Sequence, residues 1–401
     1  MVASVLCAGI IGCNKSSGPT EAPVIPDQTN GRVTIINDEA KLAARVTIND
    51  EPVPIDTAMY KASGAAAFSL KLAATISPPV VGGQTLQATS VVLDGNFAYA
   101  SYNMQGSTYI GAIDIIQVKG AKNATLRSEA TFTDTDVSSL CYANGKMYLA
   151  EATGNTAFAA PAVVEAITIS GGKMDLAKNF RRALSSYAAT AVSAAGGKVF
   201  VTTGNTGGLY TLTQNDTLSV EKFDALDDAR WVDNDGTYVV VAQGTPGRFS
   251  VFQQSTMAFL KTVSFSGATI PESKSTVRLI GGKALVAAGD GGVQLVDVAS
   301  GTVVGSIPRT VVRGLDSSVT VTNAVDAADK YVYISNGEGG VYVALASVNL
   351  SNITGTSPIT FKMLGKLQFA NLQSVNHVSY DGSLLAVAAG LGGVKFVTVS
   401  F

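Results

Sequence analysis

Histidine is almost missing from this chain: His377 is the only one in 401 residues, and Trp231 is the only tryptophan. A single imidazole excludes multi-histidine metal centres, and no G-x-S-x-G elbow accompanies it to suggest a serine nucleophile. Charge is scarce too, with Asp, Glu, Lys and Arg at 14% and a formal net charge of −2. That balance leaves no basic footprint for a nucleic-acid partner. No apolar run reaches the roughly 18–20 residues a membrane-spanning helix needs. Cysteine is limited to Cys7, Cys13 and Cys141, too few for a disulfide framework.

Glycine, by contrast, is abundant at 41 residues, and 46% of the chain is hydrophobic. The two occur together in a hairpin that recurs seven times: an apolar strand, a small glycine-rich turn and a second apolar strand. Clear copies are ALVAAGDGGVQLVDV (284–298), VYISNGEGGVYVAL (332–345), LLAVAAGLGGVKFVTV (384–399) and VFVTTGNTGGLYTL (199–212), with degenerate copies over 97–116, 147–169 and 238–252. An all-strand repeat of roughly 40–53 residues is the signature of a propeller blade. The turns need glycine because primed turns place residues at positive φ. The near-continuous apolar strands fit blades buried on both faces.

The fold expected is therefore all-β, a seven-bladed β-propeller of four-stranded antiparallel blades over residues 62–401. The turn after the first strand of each blade falls at Gly95, Gly145, Gly197, Gly236, Gly282, Asp329 and Gly382. The last blade ends at KFVTVSF without a fourth strand, while residues 67–76, AFSLKLAATI, have the alternation of one. They are expected to close the ring beside the last blade, removing its open edges. Residues 31–61 hold two related pieces, VTIIND and VTIND, readable as a small hairpin or as accessory strands on the ring.

The beginning of the chain points to a cellular address. Residues 1–13, MVASVLCAGIIGC, are a short apolar run with small residues before Cys13, the pattern of a signal peptide. Ile10-Ile11-Gly12-Cys13 looks like a bacterial lipobox, although no Lys or Arg precedes the apolar run. Lipidation at Cys13 is the expectation, with a generic secretory signal as the alternative. Residues 14–30, rich in Pro, Ser, Gly and Thr, read as a tether that cannot bury enough apolar surface to fold. Acylation would anchor the protein without a transmembrane helix, and Cys141 would remain as the one free thiol, a small buried residue of an inner strand.

The stretch GGVQLVDVASGTVVGSIP (291–308), with its strand core repeated as GGVYVAL and GGVKFVTV, is similar to the repeats of the LVIVD and YVTN families of bacterial secreted β-propellers. Together with the lipobox, the chain resembles an envelope propeller lipoprotein of the kind common in Bacteroidetes. The resemblance covers about 330 residues and implies fold and location, a lipid anchor at the outer membrane on its periplasmic side or the cell surface. Its motifs encode blade packing and specify no chemistry.

Other motifs have plainer readings. The G-D-G-G and G-E-G-G turns lead into strands, whereas a phosphate loop must lead into a helix. Asp233-Asn234-Asp235-Gly236 starts like a calcium loop but lacks the later bidentate glutamate and reads as a turn between strands, as does Asp134-Thr135-Asp136. No metal site and no cofactor are expected.

Alignment of the repeats yields one constellation. The second residue of each innermost strand is Val92, Cys141, Ser193, Asp233, Arg278, Asp326 and Ser379, which places them in one ring around the channel. Arg278 falls between Asp233 and Asp326, either a structural network setting blade register or part of a ligand or ion site. Candidates for ligand contact at the channel mouth are Arg230, Trp231, Asn376 and His377, leading into inner strands, and Tyr102, Glu151, Gln243 and Asn336, leaving the second strands. Asn323 belongs to the first group as well. Trp231 reads as a recognition anchor or as inter-blade core, His377 as a ligand contact or a hydrogen-bonded structural residue.

The leading functional expectation is a monomeric, non-catalytic binding or scaffold protein that engages a protein or glycan ligand through its loop face. The alternative is a lactonase-, lyase- or hydrolase-like propeller enzyme using carboxylates such as Glu151 or a bound metal. A third reading is an envelope protein that packs laterally.

Overall fold

Strand A of each blade lines the channel and strand D lies outermost. In blade 5 these strands are Val277–Ile280, Lys283–Ala287, Val293–Asp297 and Val303–Ile307, paired antiparallel in sequence order. The computed structural model describes residues 24–26, 31–58, 68–118, 123–271, 273–369 and 374–400. The signal-peptide reading of 1–13 and most of the 14–30 tether lie outside these residues. Within them the chain forms seven antiparallel blades, the expected seven-bladed propeller.

The apolar strands are explained by their alternation. In strand B of blade 5, Leu285 and Ala287 face blade 6, while Ala284 and Val286 face blade 4. Every blade behaves this way, so the core is seven clusters, one at each blade–blade interface. Both faces of a strand are buried, and period-2 amphipathicity disappears from the sequence.

The turns follow the glycine rule. All seven A–B anchors sit at positive φ, including the one non-glycine, Asp329 at +53°. The glycine that opens strand C has a second constraint. A Cβ on Gly292 would lie 2.2 Å from the carbonyl oxygen of Ile307 in strand D. On Gly393 of blade 7 it would lie 2.0 Å from the carbonyl oxygen of Ile76. The chain segment that completes blade 7 thus passes its glycine just as a blade's own strand D does. That segment is Ser69–Ile76, paired antiparallel with Val394–Ser400. The ring is closed by an N-terminal strand, as expected.

The residues before the closing strand form a strap around the outside. Val24–Pro26 adds to strand D of blade 2, Val33–Ile36 to blade 1, Val46–Pro52 to the closing strand of blade 7, and Ile55–Asp56 to blade 6. The VTIIND and VTIND pieces do not pair with each other; each lies on a different blade. Between them Asp38 caps the short helix Glu39–Leu42, its carboxylate accepting the Ala40 N–H at 3.1 Å.

Each piece is preceded by an arginine, so the strap repeats Arg-Val-Thr-Ile at 32–35 and 45–48. Arg32 donates two hydrogen bonds to Glu165 of blade 2, at 3.0 and 3.1 Å. Arg45 makes a bidentate pair with Asp114 of blade 1, at 2.7 and 3.0 Å, and also meets Glu129. Asp114 and Glu165 hold the same place in their blades, the fourth residue of strand C, and both are fully buried. Counted from the bulge that every strand C–D pair carries, the corresponding residues of blades 3–7 are Tyr210, Ser250, Gln294, Tyr342 and Lys395. Acids occur there only in the two blades that receive a strap arginine, because a buried carboxylate requires a charged partner.

Candidate functional site

All seven predicted ring residues line one channel cavity of about 300 Å³. The polar ones tie each blade to the next. Asp233 accepts the Leu279 N–H at 2.7 Å, Asp326 the Tyr380 N–H at 2.8 Å and Ser379 the Leu93 N–H at 3.2 Å. In each case the donor is the residue after the ring position on the following blade. Ser193 meets the side chain of Asn234, again one blade on.

Arg278 lies between its two aspartates, Nη1 3.5 Å from Asp233 and Nε 3.3 Å from Asp326. Its side chain is 50% exposed to the lumen, whereas those of Asp233 and Asp326 are 17% and 11% exposed. Burial raises both carboxyls above the usual carboxylate range, with Arg278 opposing that shift. The guanidinium is held charged by Asp326 first and Asp233 second. Burial also pushes the Cys141 thiol up, which makes it a poor nucleophile.

At the mouth, three side chains close the channel. Trp231 of blade 4 stacks on His377 of blade 7, ring centroids 5.1 Å apart and planes 25° from parallel. Lys274 comes from the loop entering blade 5 and crosses to the far side. Its ammonium donates to the carbonyl oxygens of Thr89, at 2.7 Å, and Ser138, at 3.3 Å, on blades 1 and 2. It also lies 5.8 Å from the Trp231 ring centroid, in cation–π range. Burial lowers its pKa to about 8. His377 Nδ1 is 3.0 Å from the Val91 carbonyl oxygen. A carbonyl only accepts, so Nδ1 carries the proton, and burial with Lys274 nearby holds the ring neutral, its pKa down at about 3.

Above this plug is a mouth pocket of about 410 Å³, bordered by Ser138, Tyr187, Asn205, Asp228, Pro271 and Lys274 among others. Trp231 lines both this pocket and the channel, so its indole is the partition between them. Tyr187 stands on the rim, 79% exposed. Arg230 borders the pocket, but its guanidinium is committed: it donates to Asp228 at 2.7 Å and to the Ile270 and Ser273 carbonyls at 3.1 and 3.2 Å. Gly244 leaves it room, since a Cβ there would lie 2.1 Å from the guanidinium.

The structure therefore brings Arg230, Trp231 and His377 together and disperses the other mouth candidates. Asn376 donates to the Ala88 carbonyl at 2.8 Å, tying blade 7 to blade 1. Asn336 is buried and donates to the Thr310 carbonyl at 2.9 Å. Gln243 is buried between Asp227, whose carbonyl it donates to at 2.6 Å, and Ser250. Tyr102 turns into blade 1 beside Arg45. Glu151 turns into blade 2, fully buried, with Arg181 Nη2 3.6 Å away and neither oxygen hydrogen-bonded. Burial, reinforced by Glu165, pushes its carboxyl well above the usual range.

Sequence reasoning did not find Lys274 or Tyr187. Both lie in connecting loops, where no repeat register assigns a direction to the side chain. Among the described residues no three His, Cys, Asp or Glu side chains converge to hold a metal ion.

No protein-family model and no curated protein matches the sequence. Solved structures do match in fold. U3-55K aligns over 80% of this chain and 98% of its own, with 12% identity and a TM-score of 0.59. The WD40 β-propeller domain of Doa1 aligns over 80% and 96%, with 13% identity and a TM-score of 0.50. The computationally designed Ika8 protein aligns over 88% and 100%, with 12% identity and a TM-score of 0.50. At these identities the likeness is one of fold, a β-propeller architecture.

Proposed function

We propose that this protein is a non-catalytic binding propeller of the bacterial cell envelope, tethered through an acylated Cys13, which takes a protein or glycan ligand at its mouth pocket. The observation that carries the reading is Trp231, held flat by His377 and Lys274 as the floor of a pocket whose rim bears the exposed Tyr187. An aromatic floor and rim surrounded by hydroxyl and amide groups suit a ligand that stacks and hydrogen-bonds. The ionic groups around it are already paired: Arg230 with Asp228, Lys274 with two carbonyls. The similarity to LVIVD and YVTN repeats and the lipobox-like Ile10-Ile11-Gly12-Cys13 support the envelope address. The enzyme alternative loses its main candidate, because Glu151 lies inside blade 2 rather than at the mouth.

The sole tryptophan gives a direct test. Neutral oligosaccharides and extended peptides are titrated while Trp231 emission is followed, with Tyr187→Ala as the control. A saturable change weakened by Tyr187→Ala supports the reading; no response from either ligand class removes it. The anchor is tested separately: Cys13→Ser should move the protein from the membrane fraction to the soluble one.

A further inference from the structure

Among the described residues that border the mouth pocket there is no valine, leucine, isoleucine, methionine or phenylalanine. Its apolar surface is the Trp231 indole and the Tyr187 ring, with only Ala188 and Pro271 beside them. A pocket that takes an apolar peptide side chain is lined by aliphatic as well as aromatic groups. This one offers a flat indole surrounded by hydroxyls. The register of the inner strands fixes that indole in place. In the layer two residues before the channel ring, five blades carry Ser90, Ser139, Ala191, Thr276 and Ala324. Only blades 4 and 7 carry large rings there, Trp231 and His377, and the two stack in the space that the small residues leave. The platform is therefore ordered before a ligand arrives, which lowers the entropic cost of binding.

Most of the polar wall is bonded to itself. Ser186 donates to the Thr203 carbonyl at 2.6 Å and Thr190 to the Ala229 carbonyl at 2.9 Å, while the Ser273 and Ser275 hydroxyls lie 3.0 Å apart. The charged groups are committed in the same way, Arg230 to Asp228 and Lys274 to two carbonyls. Among the described lining residues, the side-chain groups that make no hydrogen bond are the Ser138 and Tyr187 hydroxyls, the Asn205 amide nitrogen and the Trp231 indole N–H. The Asn205 amide oxygen already accepts the Thr206 N–H at 2.9 Å. Asn205 and Tyr187 are exposed and Ser138 is half-buried. All four free groups are neutral.

We infer that the ligand of this pocket is a neutral glycan, one pyranose ring of which lies with its C–H face on Trp231. The inference rests on the mouth-pocket reading and chooses between its two ligand classes. The C–H groups on one face of a pyranose carry a slight positive charge, which the negative face of the indole attracts. The hydroxyls around the edge of that ring both donate and accept, as Ser138, Tyr187 and the Asn205 amide require. A peptide main chain finds less to hold, because the Thr89 and Ser138 carbonyls at the floor are taken by Lys274. A sugar carboxylate finds no free cation, since Arg230 and Lys274 are already bonded.

The probes are neutral di- to tetrasaccharides of hexoses and N-acetylhexosamines, the matching uronic-acid oligosaccharides and a library of extended peptides. Each is titrated into the full chain while Trp231 emission is followed. A neutral saccharide is expected to give a saturable change, and magnetisation saturated on the protein's aromatic protons should pass to the C–H protons of one of its rings. Asn205→Ala and Ser138→Ala remove side chains that bond nothing around the pocket beyond Thr206, and matching thermal melts show that both variants are folded. Each should weaken the saccharide about three- to tenfold. A response to peptides alone overturns the glycan and leaves the mouth-pocket reading in place. A uronate bound more tightly than its neutral counterpart overturns the neutral class. Saccharide binding that ignores both variants, or that leaves Trp231 emission unaltered, lies elsewhere and also overturns the inference. Silence from every probe removes this inference and the mouth-pocket reading together.

Discussion

Arg45 and Asp114 form a bidentate ion pair between the N-terminal strap and the interior of blade 1, with N–O distances of 2.7 and 3.0 Å. The pair bridges the place where the first and last blades meet, since the strand that follows Arg45 lies on blade 7. The Asp114 side chain is fully buried and that of Arg45 is 16% exposed. Removing the arginine strands a carboxylate in the core, a change that costs about 3–5 kcal/mol. Arg45→Ala should therefore lower the unfolding free energy by about that amount in a urea titration. Replacing both members, Arg45→Met with Asp114→Val, should recover most of the loss. A buried ion pair exchanged for matched apolar groups is often neutral. A double variant as unstable as Arg45→Ala would show that the strap strand, not the ion pair, carries the stability.

His377 makes stability depend on pH in a defined window. Its pKa is about 3 in the folded chain against 6.5 unfolded, because the buried ring would have to charge beside Lys274. Folded pKa below unfolded pKa means that the unfolded chain binds the proton first. The contribution is complete above pH 6.5 and lost as the pH falls toward 3, at about 1.4 kcal/mol per unit. His377→Gln should flatten that part of the stability curve. As the only histidine, its imidazole resonances report the folded-state titration without overlap; a midpoint near 6.5 would refute the buried, neutral ring.

The repeat was legible because its constraints are local. A positive-φ turn selects glycine wherever it occurs, so the A–B anchors and the blade count could be read from spacing alone. The Asp233–Arg278–Asp326 ring was legible for a related reason: a fixed register turns three distant residues into one layer. The strap was not. Its strands are short, and the partners of Arg32 and Arg45 lie 133 and 69 residues away, outside any periodic register. Asp114 and Glu165 were visible as lone acids in apolar strands, but nothing in the sequence connected them to those arginines. Tyr102 and Glu151 were placed at the mouth because strands buried on both faces carry no alternation to say where a side chain turns.

Ring closure should be sensitive to a single methyl group. Gly393 has φ +70°, and a Cβ there would lie 2.0 Å from the Ile76 carbonyl oxygen of the closing strand. Gly393→Ala must displace that strand, and we expect a loss of about 2–3 kcal/mol. Gly82 has a similar φ, +57°, with open space around the added methyl. Gly82→Ala should cost only the left-handed backbone strain, about 1 kcal/mol. Equal losses in denaturant titrations would mean that backbone conformation, rather than the passing strand, dictates glycine at 393.

Lys274 bolts the plug, and Trp231 can report on it. The ammonium spans the mouth from blade 5 to the carbonyls of Thr89 and Ser138 and covers the indole that separates pocket from channel. Lys274→Met keeps most of the side chain's bulk but removes both hydrogen bonds and the charge. The lost bonds and the relieved cost of burying an ammonium oppose each other, so stability should change by only about 1 kcal/mol. The barrier should change far more. Acrylamide reaching the indole from pocket or lumen should quench Trp231 more strongly in the variant, and its emission should shift as the cation leaves the ring. Unaltered quenching with unaltered stability would mean that Trp231 and His377 close the channel by themselves and that the lysine only decorates the mouth.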